Sequence, residues 1–241
     1  EKYILELYKK VFKRELSYKT WEWKYNGLNS DRKLIFLAFD GINCVGHYAL
    51  MPFIINAYGK DVDSFISLDS MVHPEFQGQK VFSQLVNYSS KQIEGINKPY
   101  ITFLNEQSIS IYTKKYNWKY LGNIPVYCRP LSLNYLKTRN KLVYFLIKPF
   151  ALLINGLNKK ISKISLQKFN QFNKEILSLS RDSRFYSINR SKEFFDWRFD
   201  KAPFTYEKYK ILYDQNLIGY CVIRIERKFG LNFVWIMDIF I

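Results

Sequence analysis

Apolar residues follow two spacings along this chain, one helical and one extended, and the switch from extended to helical after Gly78 is the one the rest is organised around. Ile4, Leu7, Tyr8, Val11 and Phe12 recur at helical steps over residues 2–13, with lysine and glutamate opposite. Ser17 reads as the N-cap of a second helix carrying Trp21, Trp23 and Tyr25. Extended runs follow at 34–39 and 44–50 around an Asp40-Gly41 turn, after which Pro52 is expected to interrupt. Residues 53–57 and the Tyr58-Gly59 turn lead to a strand through Phe65, Ile66, Leu68, Met71 and Val72. That strand must stop near His73-Pro74, since proline cannot donate to a ladder and biases its predecessor. Beyond a polar turn containing Gly78, Val81, Phe82, Leu85, Val86 and Ile93 mark one face of a helix ending near Gly95. A strand at 99–104, a helix from Asn105 to Tyr116, and strands at 119–121 and 126–129 complete this half.

Strand, glycine turn and helix aim backbone N–H groups at an anion, because the first helical amides lack partners and the dipole is positive there. Gly78 permits close approach, while Gln77, Gln79 and Lys80 add donors and charge. From the turn alone, a connection that binds nothing is equally open. The stretch from Val72 to Phe82, reading VHPEFQGQKVF, resembles the acyl-CoA pyrophosphate loop of the GNAT superfamily of N-acyltransferases, Q/R-x-x-G-x-G/A. Glu75 stands where that pattern has Gln or Arg, and Lys80 where it has the second Gly or Ala. The element order over residues 1–130 is also that of a GNAT domain. Tyr112 to Trp118, YTKKYNW, looks like the family's Y-x-K-x-G-F/W helix end, with Asn117 able to take the left-handed role of the glycine.

The resemblance implies a mixed-sheet α/β fold and acetyl-CoA, or another acyl-CoA, as donor. It assigns the pantetheine arm to backbone groups of Met71 and Val72. It assigns the pyrophosphate to the amides of Gln77, Gly78, Gln79, Lys80, Val81 and Phe82, a further cofactor contact to Asn105, and protonation of the leaving thiolate to Tyr112. Asp69 is the base candidate read from the residues themselves, because burial in an apolar strand would raise its pKa. A carboxylate satisfied by hydrogen bonds is the alternative at that position. His47, next to Gly46, could face the same cleft, whereas His73 before Pro74 supports the turn. Neither histidine has metal-ligand company in sequence, so no metal is expected.

Past residue 130 the character changes. Residues 131–190 hold twelve lysines and arginines against Glu175 and Asp182, a balance of +10 within a chain total of +16. The apolar runs at 142–147 and 150–154 are too short to span a bilayer, which takes about 20 residues. They suit a helix covering a sheet edge, or an interfacial helix touching a membrane through residues 138–160. From Ser191 the beginning of the chain recurs: Ser191 to Phe199 parallels Ser17 to Tyr25, and Asp214 to Tyr220 parallels Asp40 to His47. Met237 to Phe240 likewise parallels Leu68 to Met71. The expected organisation is a GNAT domain over 1–130, a basic helical linker over 131–185, and a partial second GNAT-like domain over 186–241.

A hydrophobic share of 48% in 241 residues gives a packed globule and excludes disorder. The charge of +16 calls for an acidic partner. Cys44, Cys128 and Cys221 are far apart and form no CxxC pair, which suits reduced thiols and a cytoplasmic location without zinc or disulfides. No signal peptide is visible, and a start at Glu1 with an end inside an apolar run reads as a fragment. These features lead to an N-acyltransferase acting on a small-molecule amine. The arrangement resembles bacterial polysaccharide-biosynthesis acetyltransferases, which implies a nucleotide- or lipid-linked amino sugar as acceptor. A Fem-type transferase using aminoacyl-tRNA, and a degenerate module binding a carrier or membrane, are the alternatives.

Overall fold

The computed structural model describes residues 1–28, 30–94, 98–127, 163–179, 186–228 and 230–241, with six positions between 141 and 149. Most of the stretch 138–160, where a membrane contact was expected, therefore lies outside the described residues. The chain divides into two compact units, residues 1–104 with 171–205, and residues 105–170 with 206–241.

The first unit is built on a mixed sheet. Strands β1 (Leu34–Asp40), β2 (Asn43–Ala57) and β3 (Lys60–Val72) form an antiparallel meander, and β4 (Tyr100–Thr102) joins β3 in parallel. Helix α1 (Lys2–Phe12) and helix α2 (Tyr18–Asn26) cover one face of the sheet. Ile4, Leu7, Tyr8, Trp21 and Tyr25 pack there on Ala49, Met51 and Met71. Ser17 caps α2 as its sequence predicts, accepting the Thr20 N–H at 3.2 Å. Helix α3 (Val81–Gln92) crosses the other face, buried through Val81, Leu85 and Val86. Gly46 lets it approach, since a Cβ there would stand 2.8 Å from Val81 and 2.9 Å from Leu85. Strand β2, between two helical layers, is therefore buried on both sides from Val45 to Met51.

Pro52 does not interrupt β2. The Phe65 N–H donates to Pro99 O, away from β2, so the Pro52–Phe65 pair needs no bond from the proline nitrogen. That nitrogen faces the other edge, beyond the last β1 pair (Leu34–Leu50) and before β6 (Tyr186–Ile188) begins at Ile55. The structure also corrects the two strands expected at 119–121 and 126–129. Residues 119–121 and 126–127 form no strand, and Leu121, Val126 and Tyr127 are more than four-fifths exposed; 128–129 lie outside the described residues. An apolar run becomes a strand only where a partner takes its backbone groups.

The later segment of the first unit contains α5 (Lys174–Leu179) and α6 (Lys192–Phe195), the latter continuing as a π-helical turn, Asp196–Asp200. Ser191 caps α6 on the Phe194 N–H at 3.2 Å, as Ser17 caps α2. Trp23 and Trp197 stack with ring centroids 5.3 Å apart. Each indole N–H donates to the other residue's carbonyl, at 2.7 and 2.9 Å.

The second unit contains α4 (Glu106–Tyr116) and an antiparallel sheet of β5 (Ile164–Phe169), β7 (Glu207–Tyr213), β8 (Asn216–Lys228) and β9 (Leu231–Phe240), in that order. Its β7–β8–β9 meander resembles β1–β2–β3 around one glycine, although the register shift between its second and third strands lies further along, between Val222 and Ile223. Ala38 faces Gly46 as Ile211 faces Gly219, and each pair adjoins a register shift. His47 faces Met71 as Tyr220 faces Phe240, and both His47 and Tyr220 are fully buried.

A Cβ at Gly27 would overlap the Trp197 indole. Gly27→Ala should therefore lower unfolding stability by about 1–3 kcal/mol, read as a shift in the urea midpoint; an unchanged midpoint would contradict the tryptophan clasp.

Candidate active site

The corner between β3 and α3 is shaped by one residue before it and one after it. Asp69 has φ +46°, and here β3 carries a bulge: Leu68 pairs with Ala49 and Met71 with His47, so Asp69 and Ser70 together oppose Tyr48. On the other edge the last pair with β4 is Ser67–Thr102. Among the described residues no strand pairs with β3 beyond it. The His73 N–H donates to Val45 O at 2.8 Å, and strand alternation then turns Val72 outward onto this open edge. The Val72 carbonyl accepts the Gln77 carboxamide at 3.3 Å, and its N–H, facing away from β2, has no acceptor among the described residues.

The loop closes on itself. The His73 ring nitrogen Nδ1 accepts the Glu75 N–H at 3.3 Å, and the amides of Phe76, Gln77 and Gln79 donate to His73, Pro74 and Phe76 carbonyls. The Gln79 carboxamide turns back onto Glu75 O at 2.8 Å. The donors left over are the amides of Gly78, Lys80 and Val81, which have no partner among the described residues. Gly78 has φ +79° with open space over its α-carbon. Lys80 is the N-cap of α3 at φ +64°, a conformation a lysine tolerates at some cost, and its side chain lies exposed in solvent. The second glycine of the resembled pattern is thus replaced by a residue that keeps the left-handed backbone and the free N–H. Among the described residues, three unpartnered N–H groups and an exposed ammonium at the N-terminus of a twelve-residue helix, with the outward N–H of Val72 at the end of β3, suit an extended, anionic ligand such as acyl-CoA.

Asp69 and His47 meet under this corner. The Asp69 carboxylate takes Lys24 Nζ at 2.7 and 2.6 Å and the Tyr25 hydroxyl at 2.7 Å. The alternative of a satisfied carboxylate is what the geometry provides. His47 Nδ1 lies 2.8 Å from the Asp69 backbone carbonyl. A carbonyl only accepts, so Nδ1 carries the hydrogen, and Nε2 is left buried without a partner among the described residues. Burial pushes the His47 imidazole below its ordinary 6.5; the Asp69 hydrogen bond and carboxylate oppose that shift, and Lys24 adds to it. Burial, then Asp69, push the Tyr25 hydroxyl well above its ordinary range.

Thus the first unit brings together His47, Asp69, Met71, Val72 and the loop from Gln77 to Phe82. Asn105 and Tyr112 are carried by α4 in the second unit. Asn105 caps that helix, accepting the Ser108 N–H at 3.0 Å. Tyr112 is buried edge-on to Trp118 at 5.0 Å. Asn117 ends the helix at φ +54°, the left-handed turn its sequence predicts. Lys24 and Tyr25 were not singled out from sequence; their only local signal is a position on the buried side of α2. Among the described residues no three His, Cys, Asp or Glu side chains gather as a metal site.

Residues 1–121, half of the chain, match the acetyltransferase (GNAT) domain family. The chain belongs to the GNAT acetyltransferase family, whose members take their acetyl group from acetyl-CoA. Solved structures of the same fold include a probable N-acyltransferase from Enterococcus faecalis, 10% identical with a TM-score of 0.57 over 93% of this chain and 53% of that one. A GCN5-related N-acetyltransferase from Anabaena variabilis is 13% identical with a TM-score of 0.60 over 99% of this chain and 55% of that one. The chain thus spans about half the length of these structures. No curated protein matches it.

Because the folded state resists protonating His47 while the unfolded chain binds that proton near 6.5, stability should fall as pH drops below 6.5 until the folded value is reached. The slope from this group is at most about 1.4 kcal/mol per pH unit. Asp69, Lys24 and Tyr25 face the ring in both comparisons, so His47→Asn should flatten the dependence of urea stability between about pH 7 and 5 relative to wild type. Parallel curves would refute the buried neutral imidazole.

Proposed function

We propose that this chain is an acyl-CoA-dependent N-acyltransferase, moving an acetyl or short acyl group to an amine. The observation that carries the reading is the set of unpartnered N–H groups on Val72, Gly78, Lys80 and Val81 around one corner. Acetyl-CoA, when bound, supplies an acetyl group activated as a thioester. Val72, with Met71 beside it, would hold the pantetheine along the open edge of β3. Gly78, Lys80 and Val81, in a loop braced by Gln77 and Gln79 and followed by Phe82, would hold the pyrophosphate. Asn105 is carried over from the family as a further cofactor contact, and the Tyr112 hydroxyl as the group holding the proton for the departing thiolate.

We infer that the acceptor is the amine of an amino sugar on a nucleotide or lipid-phosphate carrier. A net charge of +16, well beyond what one cofactor needs, supports a second anionic ligand. We further infer that residues 186–241 are a partial second GNAT-like domain behind a basic linker at 131–185, with 1–130 as the first. The register that β7–β8 shares with β1–β2 around Gly219 and Gly46 supports the likeness of the two meanders.

Calorimetric titration with acetyl-CoA, followed by thiol-release assays with amino-sugar nucleotides, tests the reading. Saturable binding and acceptor-dependent thiol release are expected. Binding of tRNA with steep salt dependence and no response to acetyl-CoA would favour the aminoacyl-transfer alternative instead. Gly78→Glu, which sets a carboxylate among the loop amides, should weaken acetyl-CoA binding by about 10- to 100-fold. Unchanged affinity would remove the loop from the site. Tyr112→Phe should lower kcat by about 10²-fold or more with KM little changed, and a wild-type rate would exclude it as the acid.

A further inference from the structure

We propose that His47 is a positioning residue, pinning the bulge of β3 through the Asp69 carbonyl and so holding Met71 and Val72 on the donor-binding edge. Its functional part rests on the acyltransferase reading. A non-glycine residue at φ +46° costs about 1 kcal/mol or more, so the Asp69 conformation persists only where its surroundings impose it. Here they do so from both ends of the residue. Lys24 and Tyr25, consecutive on α2, hold the carboxylate, and His47, across the ladder on β2, holds the carbonyl. The bulge places one extra residue between Leu68 and Met71, and the strand beyond it resumes pairing at His47–Met71 and Gly46–Val72. Without that extra residue, every side chain beyond it would change face and the outward N–H of Val72 would turn towards β2.

The same geometry argues against His47 as the base. Its protonated nitrogen is committed to a backbone carbonyl, and its basic nitrogen is enclosed in a ring fully buried against Tyr25, 5.9 Å away edge to face. A base must reach the proton it removes, within about 3.2 Å or through one water. Asp69 is engaged too, its carboxylate held by an ammonium and a phenol. Both residues therefore act on the course of the backbone.

Three measurements on the full chain test this. Nitrogen-15 shifts of the wild-type imidazole should show hydrogen on Nδ1 and none on Nε2; the opposite tautomer overturns the proposal. Asparagine offers an N–H at about the reach of Nδ1, and phenylalanine offers none. Amide exchange at Met71 and His73, whose N–H groups face β2, should quicken by about tenfold or more in His47→Phe and stay near wild type in His47→Asn. Equal exchange in all three forms overturns it. The Kd for acetyl-CoA should rise about tenfold or more in His47→Phe, with the loss of kcat/KM appearing in KM, and recover to within about threefold in His47→Asn. A base would behave differently: His47→Asn would lose kcat at unchanged KM, which also overturns the proposal. If wild type binds no acetyl-CoA, the acyltransferase reading fails by itself. The tautomer and the exchange rates then decide whether the pin exists.

Discussion

The arrangement on which the site depends is the fixing of Asp69 in a left-handed conformation inside a strand. On one side β3 must keep its ladder with β2 to Val72, and on the other it must leave β4 after Ser67. A regular strand does not change its relation to its neighbours part-way along. The extra residue at the bulge makes that change, and four polar contacts from α2 and β2 hold it. The helices that cover the sheet thereby reach the backbone that would face the donor. Lys24 and Tyr25 belong to the same helix whose Trp21 and Tyr25 rings build the core, so packing and site geometry are set by one docking event.

The loop that follows needs little from its side chains. The two glutamines that sequence reading treats as donors turn back to brace loop carbonyls, and the free donors are backbone amides. This explains why a lysine can occupy a position where the family pattern has a small residue. Its backbone takes the left-handed conformation at the start of α3, and its long side chain extends into solvent. Glu75, the other departure, is also exposed, and its backbone contributes to the closed turn through His73.

The two meanders are alike around their buried glycines and differ at the bulge of the third strand. Gly46 and Gly219 face equivalent partners beside a register shift, and the buried residues that follow, His47 and Tyr220, each engage an aspartate of the third strand. His47 bonds the carbonyl of Asp69, whereas the Tyr220 hydroxyl reaches the Asp238 carboxylate at 3.1 Å. The two meanders share the register of their first two strands at the glycine, while the bulge of the third strand falls at a different place in each.

Much of this was fixed by neighbours along the chain. The faces of α1 and α3, the Ser17 and Ser191 caps, the left-handed Asn117 and the end of β3 before Pro74 all follow from spacing and local hydrogen bonding. The family likeness over residues 1–121 was readable for the same reason, since its loop is a run of adjacent residues. Tertiary structure decided the rest. Pro52 stays within β2 because its nitrogen faces a gap between two strands, one of which arrives from residue 186. Residues 119–121 form no strand because, among the described residues, no strand meets them. Asp69 becomes a held carboxylate because Lys24 and Tyr25, more than 40 residues earlier, are folded over it. Local periodicity records which face of an element avoids water; it carries no record of which distant side chain completes a hydrogen bond there.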